Sequence, residues 1–419
     1  MIPHALRSWA VAVALAAASF VAHAQQTVKI AYIDPLSGPF ANTGEAGLKQ
    51  FQYLAEQLNQ KNPAGGIKIE VVGFDNKTSP QESLNVLKKV IDSDVRYILQ
   101  GNGSSVAIAL SDAVQKHNER NPGKEILYLN YAAVDPVLTN EKCHFYHFRF
   151  DANSDMKMEA LTSFLANDKS IKKVYLINQN YSFGQAVTRA AKADLASKRP
   201  DIQVVGDDLH PLGQVKDFAP YVAKIKASGA DTVITGNWGT DLTLLIKAAK
   251  DAGLIVNFYT YYASAAGTPT AMGTMGDAAV GKVKQVTEWH PNEPTKIADA
   301  YFVAFRKRNG IDQFFFRGVT MMEMLAEAIK RAKSTEPNAV AKQLSGMKYI
   351  TETGEVEMRA ADHQLIQPLY ISTLYKQAAK GGPKEVKYDL ENSELGFRTD
   401  ARIEAFVSAQ PTSCKMGKD

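Results

Sequence analysis

Short apolar runs typical of β-strands alternate with longer segments whose apolar residues recur at helical spacing. In the first third of the chain the strand-like runs are 28–33, 67–74, 97–100 and 126–131. One intervening helix is predicted to begin after Pro80, because proline is favoured in a first helical turn. These strands are apolar throughout instead of alternating, which favours a parallel sheet covered by helices on both faces.

The same alternation begins again after residue 170. The second set of strand-like runs is 174–178, 204–206, 232–236 and 256–261, with helices predicted at 184–197, 218–227 and 242–252. The part that follows predicts helices at 294–309, 318–333 and 338–346 and strands at 355–358 and 369–375. From Lys380 the sequence turns polar and is interpreted as a surface segment. Two such units in tandem predict an α/β fold of two Rossmann-like lobes with a cleft between them.

The N-terminus has the pattern of a secretory signal peptide. Arg7 precedes the apolar run 9–22, and Ala22-His23-Ala24 supplies small residues at the positions that signal peptidase requires. We therefore expect residues 1–24 to be removed by cleavage before Gln25. The alternative is an uncleaved membrane anchor, but the run is short for a membrane span. The mature protein is expected to be secreted.

Secretion changes the interpretation of the two cysteines, Cys143 and Cys414. In an oxidising compartment an even number of cysteines favours a disulfide over two free buried thiols. The bond would tie the C-terminal segment to the middle of the chain.

Composition and motifs exclude several classes of function. The chain has 419 residues, enough for two or three domains, and a net charge of +4, too small to predict nucleic-acid binding. No phosphate-binding loop of the G-x-x-x-x-G-K-[ST] type, no H-E-x-x-H pair and no G-x-S-x-G elbow occurs. His144 and His147 are expected on opposite faces of a strand, which argues against a shared metal. We expect neither an enzyme nor a cofactor.

The segment Gly101-Asn102-Gly103-Ser104-Ser105 lies between a predicted strand and a predicted helix. A third glycine and a ribose-binding acidic residue are missing, so the segment is a poor dinucleotide fingerprint. Its backbone amides and serine hydroxyls would instead suit a carboxylate or another anion at a helix N-terminus. The alternative is that Ser104 serves only as an N-cap.

Aromatic residues recur in the loops that follow predicted strands. They are Tyr131, Tyr181, Phe183, Trp238, Tyr261 and Tyr262. Each alone could be a core or surface residue, but together they predict an aromatic wall of the cleft.

Several segments, taken in order and spacing, resemble the leucine/isoleucine/valine-binding branch of the type I periplasmic binding proteins, which serve ATP-driven importers. The matching segments are 28–31, 35–39 with Gly44, Asp75-Asn76, the turn 101–105, Ala132-Ala133 before Asp135-Pro136, 180–184 and 235–238. The likeness extends over nearly all of the mature chain.

The resemblance implies a periplasmic protein of two lobes joined by a hinge of three crossovers. It implies that lobe 1 comprises 25–148 and 287–355, that lobe 2 comprises 149–286 and 356–400, and that 401–419 form a C-terminal tail. The implied partners are a small-molecule ligand and an ABC permease in the inner membrane. The protein is expected to be a monomer without nucleic acid.

The resemblance also implies a set of ligand-binding residues. Ser104 and Ser105 match the segment that holds the ligand carboxylate, and Ala132 and Val134 match the backbone-contact segment. The covering rings from the second lobe are Tyr181, Phe183, Trp238 and Tyr262.

Two positions depart from the family pattern. Val134 stands where a threonine is common, and Tyr262 stands where a glutamate normally pairs with the ligand ammonium. A buried ammonium without a counter-charge costs several kcal/mol. A small aromatic or aliphatic carboxylate therefore fits at least as well as an amino acid, although Trp238 and Tyr262 could supply a cation–π contact.

The sequence thus predicts a secreted solute receptor that encloses its ligand by hinge closure and delivers it to a permease. Two alternatives are a ligand-sensing subunit of a membrane signalling system and a secreted hydrolase. The hydrolase would need a nucleophile and a base together in the cleft.

Overall fold

The computed structural model describes residues 26–295, 297–377 and 386–416. The predicted signal peptide and its cleavage site before Gln25 lie outside these ranges. Within them no helix combines the length and the apolar character that a membrane crossing requires.

The first sheet is parallel and has the order β2-β1-β3-β4-β5. Its strands are β1 (Thr27–Asp34), β2 (Lys68–Asp75), β3 (Tyr97–Gln100), β4 (Leu127–Asn130) and β5 (His147–Arg149). The helices that alternate with them are α1 (Ala41–Lys61), α2 (Pro80–Asp92) and α3 (Ser104–Arg120). The predicted strands agree to within one residue because buried parallel strands are marked by continuous apolar runs.

A second sheet repeats the same winding with five further parallel strands. They are β6 (Lys173–Gln179), β7 (Gln203–His210), β8 (Thr232–Thr235), β9 (Asn257–Thr260) and β10 (Val283–Thr287). The accompanying helices are α4 (Ser154–Leu165), α5 (Ser182–Lys198), α6 (Ala219–Ser228), α7 (Gly239–Asp251) and α8 (Thr268–Met275). The sequence pattern missed α4, α8 and β10.

The chain then returns to the first sheet. Helices α9 (Ala304–Asn309), α10 (Phe316–Ala332) and α11 (Pro337–Leu344) follow, and α10 packs against α1 while α11 contacts β4. The helix predicted at 294–309 is shorter in the structure, since the π-helical turn Asp299–Val303 precedes α9.

A small antiparallel sheet lies beside β5. Its strands are β11 (Lys348–Thr351), β12 (Gly354–Met358) and β13 (Leu365–Ile366). A bridge between Arg149 and Gln364 connects it to the edge of the first sheet. The lobe boundary expected between residues 355 and 356 falls inside β12.

The last strands, β14 (Leu369–Lys376) and β15 (Leu395–Ile403), pair antiparallel at the edge of the second sheet, and α12 (Ala405–Ser408) packs on α4. The sequence did not predict β15, and the expected start of the tail at residue 401 falls within it. As an edge strand with a partly exposed C-terminal half, β15 has no continuous apolar run.

The chain passes between the two sheets at three adjacent places. These crossings lie between β5 and α4, between β10 and α9, and between β13 and β14. Gln364 Nε2 donates to the Asp151 carbonyl at 2.8 Å, and Gln367 Nε2 donates to the Phe150 carbonyl at 2.7 Å. We call the first sheet with α1–α3 and α9–α11 the first lobe, and the second sheet with α4–α8 the second lobe.

The predicted disulfide between Cys143 and Cys414 is confirmed, with Cα atoms 5.8 Å apart. Cys143 precedes β5 in the first lobe, whereas the tail arrives from β15 and α12 on the second lobe. Thr412 Oγ1 also donates to the Thr139 carbonyl at 2.7 Å. The tail is therefore a covalent connection between the lobes in addition to the three crossings.

Replacing both cysteines by serine should lower the free energy of unfolding by as much as about 5 kcal/mol, because the bond closes a loop across a separation of 271 residues. Urea unfolding followed by tryptophan fluorescence measures the change. As a control, the double variant should not respond to reductant. Equal midpoints for the oxidised and the fully reduced wild-type protein would contradict the expectation.

Candidate functional site

A cavity lies between the lobes at the carboxyl ends of their strands. Fourteen described residues line it: Thr43, Gly101, Asn102, Gly103, Ser104, Ala132, Val134, Tyr181, Phe183, Trp238, Tyr262, Ala265, Phe315 and Arg317. Seven of the eight predicted ligand residues are among them. The eighth, Ser105, is only partly buried and does not line the cavity.

The turn that leads from β3 into α3 forms one wall. Gly103 takes a φ of +93° and is the N-cap, and Ser104 is the first residue of the helix. Because glycine has no capping side chain, the first-turn amides of α3 are left for a ligand. Ser104 is 2% exposed, and its Oγ accepts the Asp135 amide at 3.2 Å, so its own proton stays free to donate.

A close approach to the next loop explains the glycine at position 101. A Cβ atom there would lie 2.8 Å from the Ala132 amide nitrogen. The Ala132 amide donates to Asn130 Oδ1 at 3.2 Å, and the Val134 carbonyl accepts from the Ser154 amide at 2.8 Å. These two main-chain groups already have partners within the protein.

The second lobe supplies a cluster of aromatic side chains. Tyr181 and Trp238 are the N-cap residues of α5 and α7, and Trp238 Nε1 donates to Tyr181 Oη at 2.8 Å. The Phe183 ring centroid lies 5.9 Å from that of Tyr181 and 6.2 Å from that of Tyr262. Burial raises the pKa of Tyr262 well above its usual range, so the hydroxyl keeps its proton.

Arg317 at the start of α10 has the one charged side chain among the described lining residues. Its Nη1 lies 2.8 Å from Glu288 Oε2, its Nη2 lies 3.4 Å from Asp151 Oδ2, and its Nε donates to the Tyr131 carbonyl at 2.5 Å. Burial lowers the pKa of Arg317, but the carboxylates of Asp151 and Glu288 outweigh burial and hold it above its usual range. The guanidinium is therefore a permanent cation.

Lys157 completes this group of charges. Its Nζ lies 2.9 Å from Asp151 Oδ1 and 5.0 Å from the Tyr262 ring centroid. Lys157 and Asp151 are both fully buried. We call Asp151, Lys157, Glu288 and Arg317 the crossing cluster, because Asp151 and Glu288 lie on the first two crossings.

Three lining residues present polar atoms that have no hydrogen-bond partner in the described structure. They are Thr43 Oγ1, Tyr262 Oη and Arg317 Nη2. A buried polar atom without a partner is costly. These atoms are consequently the natural contacts for polar groups of a ligand.

Four residues line the cavity without having been predicted from the sequence: Thr43, Ala265, Phe315 and Arg317. Arg317 carried a usable signal, since an arginine inside the run Phe314-Phe315-Phe316-Arg317 must be buried with a partner. Thr43 offered no comparable signal, because it reaches the cavity only through the packing of α1.

The expectation that His144 and His147 lie on opposite faces was wrong. The chain turns between them, with the His147 amide bonded to the His144 carbonyl, and the two ring centroids are 6.0 Å apart. Burial lowers the pKa of His144 to about 4. No group of three metal-ligating side chains is found in the described ranges.

Comparisons with known proteins agree with this architecture. Residues 27–380 match the family described as periplasmic binding protein. The Leu/Ile/Val-binding protein homolog 4 of Brucella abortus is 33% identical over 412 residues, which cover 96% of each chain.

Solved structures extend the comparison. A leucine-, isoleucine-, valine-, threonine- and alanine-binding protein from Brucella ovis, in a closed conformation, has a TM-score of 0.80 and 32% identity and covers 94% of this chain and 100% of its own. A solute-binding protein of an ABC transporter from Rhodopseudomonas palustris was solved in complex with 3,4-dihydroxybenzoic acid. It has a TM-score of 0.74 and 20% identity, and the match covers 90% of this chain and 98% of that protein.

Replacing Arg317 by Met should lower the free energy of unfolding by about 3–5 kcal/mol, because Glu288 would be left buried without its partner. Urea unfolding at neutral pH measures the loss.

Arg308→Met is the matched control. Arg308 pairs with Glu56, and both side chains are about half exposed at 49% and 50%. The control should cost no more than about 1 kcal/mol. Equal losses for the two variants would contradict a structural role for the crossing cluster.

Proposed function

The chain belongs to the periplasmic binding protein family, and on that premise we propose that it captures a small aromatic or apolar carboxylate and presents it to an ABC permease. One relative is a Leu/Ile/Val-binding protein homolog, and a structural neighbour is a solute-binding protein of an ABC transporter. The chain is accordingly a carrier of small molecules and not an enzyme.

The composition of the cavity wall carries the proposal. The wall combines Arg317 Nη2, the Ser104 hydroxyl and the first turn of α3, all of which can donate hydrogen bonds to a ligand, and no described lining residue has a carboxylate. A ligand carboxylate can be satisfied by these donors. The ammonium of a free amino acid would be buried without a counter-charge, at a cost of several kcal/mol.

The aromatic residues favour a flat or apolar body for this ligand. Phe183, Trp238, Tyr262 and Phe315 line the same cavity and offer ring faces to the body of a ligand. The Rhodopseudomonas palustris neighbour, which was solved with 3,4-dihydroxybenzoic acid, supports an aromatic acid as the ligand class.

Contacts between the lobes support capture by closure. The Phe40 ring of the first lobe lies 4.2 Å from that of Trp238 in the second, and Thr240 Oγ1 donates to the Pro39 carbonyl. Opening would separate these pairs and would bend the chain at the three crossings, as in other hinged receptors.

Delivery and location follow from the family as part of the proposal. The precursor would be exported, cleaved before Gln25 and released as a monomer into the periplasm, where a permease of the inner membrane would receive the ligand. The hydrolase alternative lacks support, because no described lining residue is a histidine, a cysteine or a carboxylate that could act with Ser104.

Isothermal titration of the mature protein tests the ligand class. Benzoate should bind more tightly than leucine, because only leucine brings an ammonium into the cavity. Tighter binding of leucine would overturn the proposed ligand class.

Ser104→Ala should weaken benzoate binding by about 1–2 kcal/mol, the usual value of a hydrogen bond to a charged group. Ser105→Ala is the matched control and should leave the affinity unchanged, since Ser105 does not line the cavity. Similar affinities for the two variants would remove Ser104 from the site.

Gly239→Ala should weaken benzoate binding by about tenfold or more by disfavouring closure. Gly239 has a φ of +58°, and a Cβ atom there would lie 2.7 Å from Phe40 Cδ1 across the lobe interface. Gly253→Ala is the control, with a φ of +59° and no heavy atom within 4 Å of the added Cβ. Small-angle scattering should show a more open Gly239→Ala protein, and unchanged affinity would argue against closure at this contact.

A further inference from the structure

A fully buried carboxyl group lies directly behind the turn that forms one wall of the cavity. Asp34, at the end of β1, is 0% exposed. Its Oδ1 accepts the Asn102 amide at 2.9 Å, and its Oδ2 lies 2.7 Å from Tyr131 Oη. Asp34 therefore holds the segment that leads to Ser104.

A chain of oxygen atoms begins at Asp34. Tyr131 Oη lies 3.0 Å from Tyr32 Oη, and Tyr32 Oη lies 2.8 Å from the Gly44 carbonyl oxygen. Together with the contact between Asp34 and Tyr131, these are three oxygen–oxygen contacts in series. The series ends at a carbonyl, which can only accept.

Counting protons along this series distinguishes the two states of Asp34. If Asp34 is ionised, the hydroxyl protons of Tyr32 and Tyr131 must serve three contacts, and one contact has no hydrogen. If Asp34 is protonated, it donates to Tyr131, Tyr131 donates to Tyr32, and Tyr32 donates to Gly44. Every contact then has one hydrogen, as buried polar groups require.

The surroundings of Asp34 agree with this count. The titratable groups that face it are the phenols of Tyr32, Tyr128 and Tyr131, and the Arg317 guanidinium donates to the carbonyl of Tyr131. Burial raises the pKa of Asp34 to about 7, although hydrogen bonds from Tyr131, from the amides of Asn102 and Gly101, and from Tyr32 oppose the rise.

We propose that Asp34 binds a proton together with the anionic ligand. The turn at Ser104 then receives a carboxylate only when Asp34 is protonated and neutral. A ligand carboxylate beside an ionised Asp34 would place two negative charges around one short turn, and each would disfavour the other. The proton comes from solvent and joins Asp34 Oδ2, and Tyr131 then donates to Tyr32. Asp34 is a positioning residue, and the inference rests on the proposed carboxylate ligand.

The sign of the pH dependence follows from this linkage. In the free protein Asp34 is neutral below about pH 7 and ionised above it. Ligand affinity should be highest where the proton is already present and should fall as the pH rises through neutrality. The fall should approach about tenfold for each unit by which the ligand raises the pKa of Asp34.

Titration calorimetry of the mature protein with benzoate, in buffers of different ionisation enthalpy between about pH 6 and pH 9, measures the affinity and the number of protons taken up. Above neutral pH the wild-type protein should take up close to one proton. Asp34→Asn should take up none and should show a flat pH profile. Asp75→Asn, at the matching end of β2 and bonded to Ser37 and Leu36, is the control and should keep the wild-type profile.

A second variant predicts a shift instead of a loss. Tyr131→Phe removes a hydroxyl that donates to ionised Asp34 and lowers its pKa, so the neutral carboxyl becomes easier to form. The affinity transition of this variant should move to higher pH. A transition at unchanged or lower pH would overturn the linkage to Asp34, even if Asp34→Asn does not fold.

Infrared titration of the ligand-free protein separates this inference from the ligand class. A protonated carboxyl band that disappears near neutral pH and is absent from Asp34→Asn would support the proton on Asp34, even if benzoate does not bind. Benzoate binding without proton uptake, or with equal uptake by Asp34→Asn, would overturn the linkage and leave the carboxylate ligand standing.

Discussion

The crossing cluster is the interaction on which the rest of the molecule depends. Two cations and two carboxylates are buried where the chain passes between the lobes, and each pairs with an opposite charge. Such a group is costly to bury and costly to separate, because any member left alone would be an uncompensated charge in a dry interior. It therefore defines one arrangement of the crossings, from which the cavity walls extend.

The cluster also determines what the cavity can offer a ligand. Both carboxylates pair within the cluster, Arg317 Nη2 has no hydrogen-bond partner in the described structure, and no described lining residue carries a carboxylate. The first turn of α3 and the Ser104 hydroxyl add further donors. Selectivity for an anion consequently comes from these donors together with a described wall that lacks carboxylates, while the cluster itself carries no net charge.

Closure is supported at the opposite side of the cavity by packing. Phe40 fits against Trp238 where Gly213 and Gly239 leave space, so two positions without side chains receive one ring from the other lobe. The disulfided tail adds a covalent connection beside the crossings. Both features limit how the lobes can separate, and Trp238 also lines the cavity.

The two α/β lobes and seven of the eight expected ligand residues were predictable from the sequence, and the sequence favoured the disulfide that the structure contains. Continuous apolar strands, glycine-rich turns and aromatic residues after strands are local patterns that can be recognised before the fold is known. Contacts in three dimensions were needed to show that Arg317 and Thr43 reach the cavity, that Ser105 does not, and that β15 completes a sheet. Those outcomes depend on contacts between segments far apart in the chain, and no periodicity along the sequence records which partner a distant side chain will meet.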